Sequence, residues 1–366
     1  MTRPTADPRA GERTDHRPVI LAVANAFYRS VDFFDYGGGE HLGTVTGLIA
    51  QPHELAADSE RRRLFLSHTY RAGAYNSGGA PGHEISIIDV DTQSVVDVID
   101  THPFVAPHGL RYHAATGLLV ASVERSDAGN GVLLIDPERR EVVDQIPTEA
   151  PNSHWVAINE AGDRAYVSHK EAPFVTALDL TARSVLGTVE LPGGAEEVDL
   201  SPDGRYLYAP TPHQTTPAPD NHATSRLVQI DTATLTVVGS VRLERANSAL
   251  RVGADGTVYV TRMTPTGRPF GTEPGALYVI DPTTLTVRGA IPLGRESFTI
   301  REAPDGRTVC VANGASGTVS VVDLATLTVA RTLTVTPNPD LPFSGTHGLA
   351  FVRGHTPAQP RHSASI

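Results

Sequence analysis

The chain has 366 residues, 40% of them hydrophobic and 19% charged, and carries a formal net charge of −11. That composition describes a globular protein rather than a disordered one, and no run of about 18 apolar residues marks a membrane span. The acidic balance, with Lys170 as the one lysine, argues against nucleic acid as a partner, because phosphate contacts need clustered Lys and Arg.

Residues 1–17 are polar and proline-bearing and lack the apolar core of roughly 7–15 residues that a secretory signal carries. With one cysteine and hence no intramolecular disulfide, the expected location is the cytoplasm. Residues 1–17 and 355–366 read as flexible tails around a single domain, 18–354. From there the chain falls into a repeat: an alternating apolar run ends in Asp, a short turn follows, and a second run leaves it. The clearest copies are Val319-Ser320-Val321-Val322-Asp323 before Leu327-Thr328-Val329, and Leu277-Tyr278-Val279-Ile280-Asp281 before Leu285-Thr286-Val287. The same Asp recurs as Asp231, Asp179, Asp136, Asp89 and Asp35, at spacings of 42 to 54 residues. Its carboxylate is expected to accept backbone N–H groups of the turn it precedes.

Each unit also holds an earlier hairpin, as in Ser201-Pro202-Asp203-Gly204, Ala254-Asp255-Gly256 and Pro304-Asp305-Gly306, so a unit reads as four short strands. Seven such units predict an all-β, seven-bladed β-propeller with four-stranded antiparallel blades. The chain starts in mid-unit, at Val19–Val23, and ends on an isolated run, Gly348-Leu349-Ala350-Phe351-Val352. The C-terminal strand is therefore expected to close the N-terminal blade and leave no free sheet edge in the ring. Arg61-Arg62-Arg63 falls in a predicted turn and is expected to be solvated, and Cys310, in an apolar strand, to be a buried inert thiol.

The unit Pro-Asp-Gly-Arg-x-x-x-Val, variable loop, Val-Ser-Val-Val-Asp, Thr-Leu-Thr-Val resembles the YVTN-type propeller repeat and is similar to the broader lactonase-like seven-bladed group. The resemblance spans about 18 to 354 and implies the fold. It implies no one function, since that group includes enzymes and binding proteins.

Aligning the first strands of the units exposes a column at the predicted mouth of the central channel: His53, His108, His154, Glu196, Ser248, Phe298 and His347. Because the last strand closes the first blade, His347, His53, His108 and His154 fall on four consecutive blades, with Glu196 on the next. Neutral imidazoles gathered in this way suit a first-row transition metal. Fe or Cu is favoured and Zn or Mn admissible, with Glu196 as fifth ligand or as the carboxylate that orients a histidine. The structural alternative is a Pro-His-Gly or Thr-His-Gly turn inherited with the repeat. Affinity for such a metal is expected to collapse below about pH 5.5–6, where imidazole protonates. The arrangement also resembles, in arrangement only, the iron centre of carotenoid-cleaving oxygenases, without that family's length or other motifs.

A second column ends the second strands: Asn25, His68, Ser122, His169, Pro210, Arg262 and Asn313. We expect it to form a polar collar around the mouth, with His68 and His169 as general bases and Arg262 as partner of an anionic substrate group. Long loops at 68–84, 210–226 and 262–276 bring Tyr70, Tyr75 and Phe270 as substrate-covering residues. Trp155, next to His154, is expected by strand alternation to point away from the channel. HExxH, G-x-S-x-G, the P-loop and a helix-opening G-x-G-x-x-G are all absent. These features predict a metal-dependent oxidoreductase or oxygenase acting on a small organic molecule. A metal-assisted lactonase or lyase and a non-catalytic ligand-binding propeller are the alternatives. Oligomeric state is not legible.

Overall fold

The computed structural model describes residues 18–49, 51–72, 80–125, 129–211, 225–243, 247–262, 273–341 and 344–354. Residues 1–17 and 355–366, read above as tails, lie outside them. Among the described residues there is no helix. The strands form seven four-stranded antiparallel sheets, the blades of a propeller. The inner strands run Thr346–Val352, Gln51–Asp58, Val105–His113, Ser153–Ile158, Asp199–Leu200, Asn247–Val252 and Ser297–Glu302, for blades one to seven.

Ring closure follows the expectation. Thr346–Val352 pairs antiparallel with Ile20–Asn25, with Val352 opposite Ile20 and Thr346 opposite Asn25, so the first blade is built from both chain ends. The core is divided. Seven hydrophobic clusters, one at each interface between neighbouring blades, hold the buried side chains. The repeat's alternation is imperfect for this reason, since each sheet is covered on both faces.

The repeated Asp caps its turn in every blade: Oδ1 of Asp89 accepts from the Thr92 N–H at 2.7 Å, and Oδ1 of Asp323 from Thr326 at 2.8 Å. Cys310 is fully buried, and burial pushes its thiol up to about 12. The arginine run departs from expectation at its centre. Arg62 is buried, its Nε lies 2.8 Å from Asp91 Oδ1, and its Nη1 donates to the Arg353 carbonyl at 3.2 Å, which pins the end of the closing strand.

Candidate metal centre

Two backbone features aim the histidine column into the channel. The residue two positions earlier is left-handed in five blades, with φ of 57° at Ala106, 52° at Asn152, 53° at Glu296, 66° at Gly194 and 62° at Gly345. A β-bulge then follows. Pro107 pairs with Val123 and Leu110 with Ala121, so His108 and Gly109 together face one partner, and the same shift recurs at His53-Glu54 and Phe298-Thr299. A bulge bends its strand and re-aims side chains, here so that consecutive residues reach toward the axis.

A serine relay then fixes the blades to one another. Ser67 Oγ accepts the Glu54 N–H at 3.0 Å and donates to the His108 carbonyl at 3.0 Å; Ser122 takes the Gly109 N–H at 2.9 Å and donates to the His154 carbonyl; Ser168 donates to the Glu196 carbonyl at 2.6 Å. The glycines after His108 and His347 are required by this closeness. A Cβ on Gly109 would stand 2.8 Å from the His154 carbonyl oxygen, and one on Gly348 2.3 Å from that of His53. The inherited Pro-His-Gly and Thr-His-Gly turns thus explain the glycine, not the histidine.

The four imidazoles form a continuous row. Ring centroids are 4.2 Å apart for His347–His53, 4.2 Å for His53–His108 and 3.6 Å for His108–His154. Phe298 stacks on His347 at 4.7 Å and closes the row on the seventh-blade side. Two carboxylates serve it, and neither belongs to the expected set. Glu124 Oε1 lies 2.7 Å from His154 Nδ1, 3.2 Å from Lys170 Nζ and 4.0 Å from His108 Nε2, while its Oε2 accepts the Tyr70 hydroxyl. Glu54 Oε1 stands 2.8 Å from His347 Nδ1 and 3.9 Å from His53 Nδ1; Arg301 approaches its other oxygen at 3.5 Å. The donor atoms that lie within 4.8 Å of one another form two sets, His53–Glu54–His347 and His108–Glu124–His154.

Electrostatics keep these groups in ligand form. Burial, with His347 beside it, pulls His53 well below the ordinary histidine range, and burial with His154 does the same to His108. Burial alone would raise the carboxyl of Glu124, but Lys170 and the His154 bond override it and hold it far below its usual range; His347 and Arg301 likewise lower Glu54. A carboxylate only accepts, so the proton of His154 sits on Nδ1 and the Nε2 lone pair is left free to ligate.

Both ring nitrogens of His108 and Nδ1 of His53 are buried without a hydrogen-bond partner among the described residues. An unanswered buried imidazole is costly, and a cation answers several at once. The residues fit a metal ion.

The remaining expected site residues fare unequally. Glu196 reaches the row, with Oε1 3.6 Å from His154 Nε2. Tyr70 is brought in as a buried partner of Glu124 at the end of strand Arg63–Ala72, not as a loop cover. His68 and His169 are fully buried. His68 Nε2 bonds Ser86 at 2.8 Å; His169 bonds Thr176 at 2.8 Å and Ser153 at 3.3 Å. Asn25 and Asn313 make the same strand-to-strand ties, to Asp32 at 2.7 Å and Ser320 at 2.9 Å, so in these four blades the column residue is a buried brace between strands. Arg262 ends strand Val258–Arg262 with its buried Nε unpartnered, and no contact joins it to the histidine row among the described residues. Tyr75 and Phe270 lie outside the described residues. Trp155 packs between the fourth and fifth blades, the inter-blade role expected of it, but it also meets Arg111 and Arg301, because the bulge breaks the alternation that would turn it away from the channel.

The brace has a pH signature. Burial lowers His169 to about 4, against about 6.5 in the unfolded chain, so the unfolded state binds the extra proton as pH falls. Its contribution is whole above about pH 6.5, and on the order of 3 kcal/mol is lost as pH drops to about 4. His169→Asn, which places the side chain of the Asn25 and Asn313 positions there, is expected to flatten that part of the curve. Denaturant midpoints of both proteins at pH 7 and pH 4.5 check it.

No protein-family model matches the chain, and no curated protein matches it. Solved structures do. The chain has the fold of known seven-bladed propellers. Hydrazine synthase of Kuenenia stuttgartiensis matches with a TM-score of 0.63 at 19% identity, over 77% of this chain and 80% of that one. A functionally unknown protein of Desulfotomaculum acetoxidans matches at 0.65 and 12%, over 91% and 99%. Dihydro-heme d1 dehydrogenase NirN, solved in complex with DHE, matches at 0.59 and 14%, over 91% of this chain and 66% of that one. At these identities the likeness is one of fold.

Proposed function

We propose that the chain is a metal-dependent oxidoreductase that acts on a small organic molecule at the mouth of the propeller channel. His347, His53, His108 and His154 would hold one first-row ion, Fe or Cu. The observation that carries this reading is the row of four touching imidazoles in which neither nitrogen of His108 has a hydrogen-bond partner among the described residues. An all-nitrogen donor set suits a redox-active metal. Two propellers of this fold carry the names hydrazine synthase and dehydrogenase, so the scaffold serves enzymes elsewhere.

The metal would supply electron transfer to or from the substrate. The chain's own residues do the rest. Glu124, held by Tyr70 and Lys170, fixes the ring and tautomer of His154, and Glu54 steadies His347. A substrate would meet the ends of the row of imidazoles, where Phe298 offers an apolar wall and Glu196 a carboxylate to accept a proton.

Replacing Glu124 with Gln is expected to lower metal affinity about 10–100-fold, the usual effect of losing a carboxylate behind a ligating histidine. Competition with a chromogenic chelator measures it. The function itself is tested by electron paramagnetic resonance during a redox titration of metal-loaded protein. A signal that appears and disappears reversibly supports an oxidoreductase. A bound but redox-silent metal would contradict it and point to metal-assisted opening of an ester or lactone.

A further inference from the structure

Three residues past the bulged column, the inner strands of the third, sixth and seventh blades carry an arginine in the same register: Arg111, Arg251 and Arg301, with Asp199 at that register in the fifth. One residue past the column stand Glu54, Trp155 and Glu197. These side chains meet below the histidines. Cζ of Arg111 lies 4.4 Å and Cζ of Arg301 5.2 Å from the ring centroid of Trp155.

The carboxylates here are already engaged, one of them with Arg301. Asp199 Oδ2 accepts from Arg251 Nη1 at 3.0 Å and from the Val252 N–H at 2.9 Å; Glu197 Oε2 accepts the Leu250 N–H at 3.0 Å; Glu54 faces His347 with one oxygen and accepts from Arg301 Nη2 at 3.5 Å with the other. Arg111 has none of them within ion-pair range among the described residues. Its one hydrogen bond runs from Nη1 to the Leu110 carbonyl at 2.8 Å, which leaves most of its five N–H donors unanswered. The indole N–H of Trp155, on a side chain 1% exposed, also lacks an acceptor. Burial and repulsion from Arg301 together lower Arg111 to about 10, still charged at neutral pH. The buried indole donor is the costly one, and a single acceptor of negative charge would answer it while meeting the spare donors of the half-buried Arg111. Arg301 keeps 16% of its side chain exposed, so solvent ions reach this level of the channel.

We propose that Arg111, Arg301 and the Trp155 indole N–H form an anion site in the central channel that takes a small monovalent anion, a halide or the carboxylate of a small acid. The site adjoins the histidine row through the Arg301–Glu54 contact, and the proposal stands whether or not a metal binds there.

Trp155 is the only tryptophan in the chain, so its emission reports the site directly. Bromide is the probe, titrated into the purified protein in low-salt buffer, with a free tryptophan amide as the control for collision. Saturable quenching of the protein, relieved by chloride, is expected. Relief by acetate as well would show that carboxylates enter, and relief by chloride alone would make it a halide site. Arg111→Leu is expected to weaken bromide at least tenfold, with Arg111→Lys closer to the parent. No quenching, or quenching that rises without saturation, overturns the proposal in the parent protein whatever the variants do. So does an unchanged midpoint in a folded Arg111→Leu.

Discussion

Substitution of His108 by alanine is expected to strip the metal from the protein and leave the propeller folded. His108 sits inside the row, 4.2 Å from His53 and 3.6 Å from His154, and is 1% exposed. Its ring makes no hydrogen bond that folding would miss, since both nitrogens are unpartnered. The local backbone is held by other atoms: Gly109 donates to Ser122, and the His108 carbonyl accepts from Ser67. Neither bond involves the imidazole. Loss of a direct ligand should exceed the roughly 10–100-fold effect of losing an orienting partner such as Glu124. The metal-free melting temperature should stay within about 4 °C of the parent, since only about 1–2 kcal/mol of packing is at stake. Metal content after dialysis and a melt of both apo proteins check this. A variant that unfolds would make the histidine a structural part of the channel.

Removal of the closing strand has the opposite signature, with the fold itself expected to fail. A chain ending at Gly345 loses Thr346–Val352, and with it the whole ladder to Ile20–Asn25. Leu349 belongs to the cluster shared with the seventh blade, while Ala350 and Val352 belong to the one shared with the second, so two of seven interfaces open at once. Thr346 also donates to Asn25 at 3.1 Å, and His347 leaves the row. The cost is comparable with the whole net stability of a domain, about 5–15 kcal/mol, and the exposed edge of Ile20–Asn25 invites association. Circular dichroism and size-exclusion chromatography, against a control ending at residue 354, are the measurements. A monomeric, cooperatively melting truncated chain would contradict closure by this strand.

The fold was legible because a propeller repeats its chemistry. Asp35, Asp89 and their equivalents announce each turn, and the isolated Gly348–Val352 run announces closure. The histidine column was legible for the same reason, since equivalent positions in the units converge on one axis. What escaped is set by the bulge and by strand length. Counting alternation from His154 turns Trp155 away from the channel, whereas the bulge lets both reach inward. Glu124 escaped, and Tyr70 was assigned to a loop, because the second strands were taken to end at Ser122 and His68. The strands Leu118–Arg125 and Arg63–Ala72 run on, and an extended chain returns to the same face two residues later. Moving that column by two would have found both. The roles of His68 and His169 were not legible, because a histidine tied to Ser86 or Thr176 inside a blade is indistinguishable in sequence from one facing solvent.

The metal centre is tested most directly by elemental analysis of protein purified without a chelating column and then offered Fe, Cu, Zn and Mn in turn. About one Fe or Cu per chain is expected, lost in His108→Ala and retained in His169→Asn. Absence of any bound metal in the folded parent, or equal metal in His108→Ala, would contradict a metal centre on the histidine row.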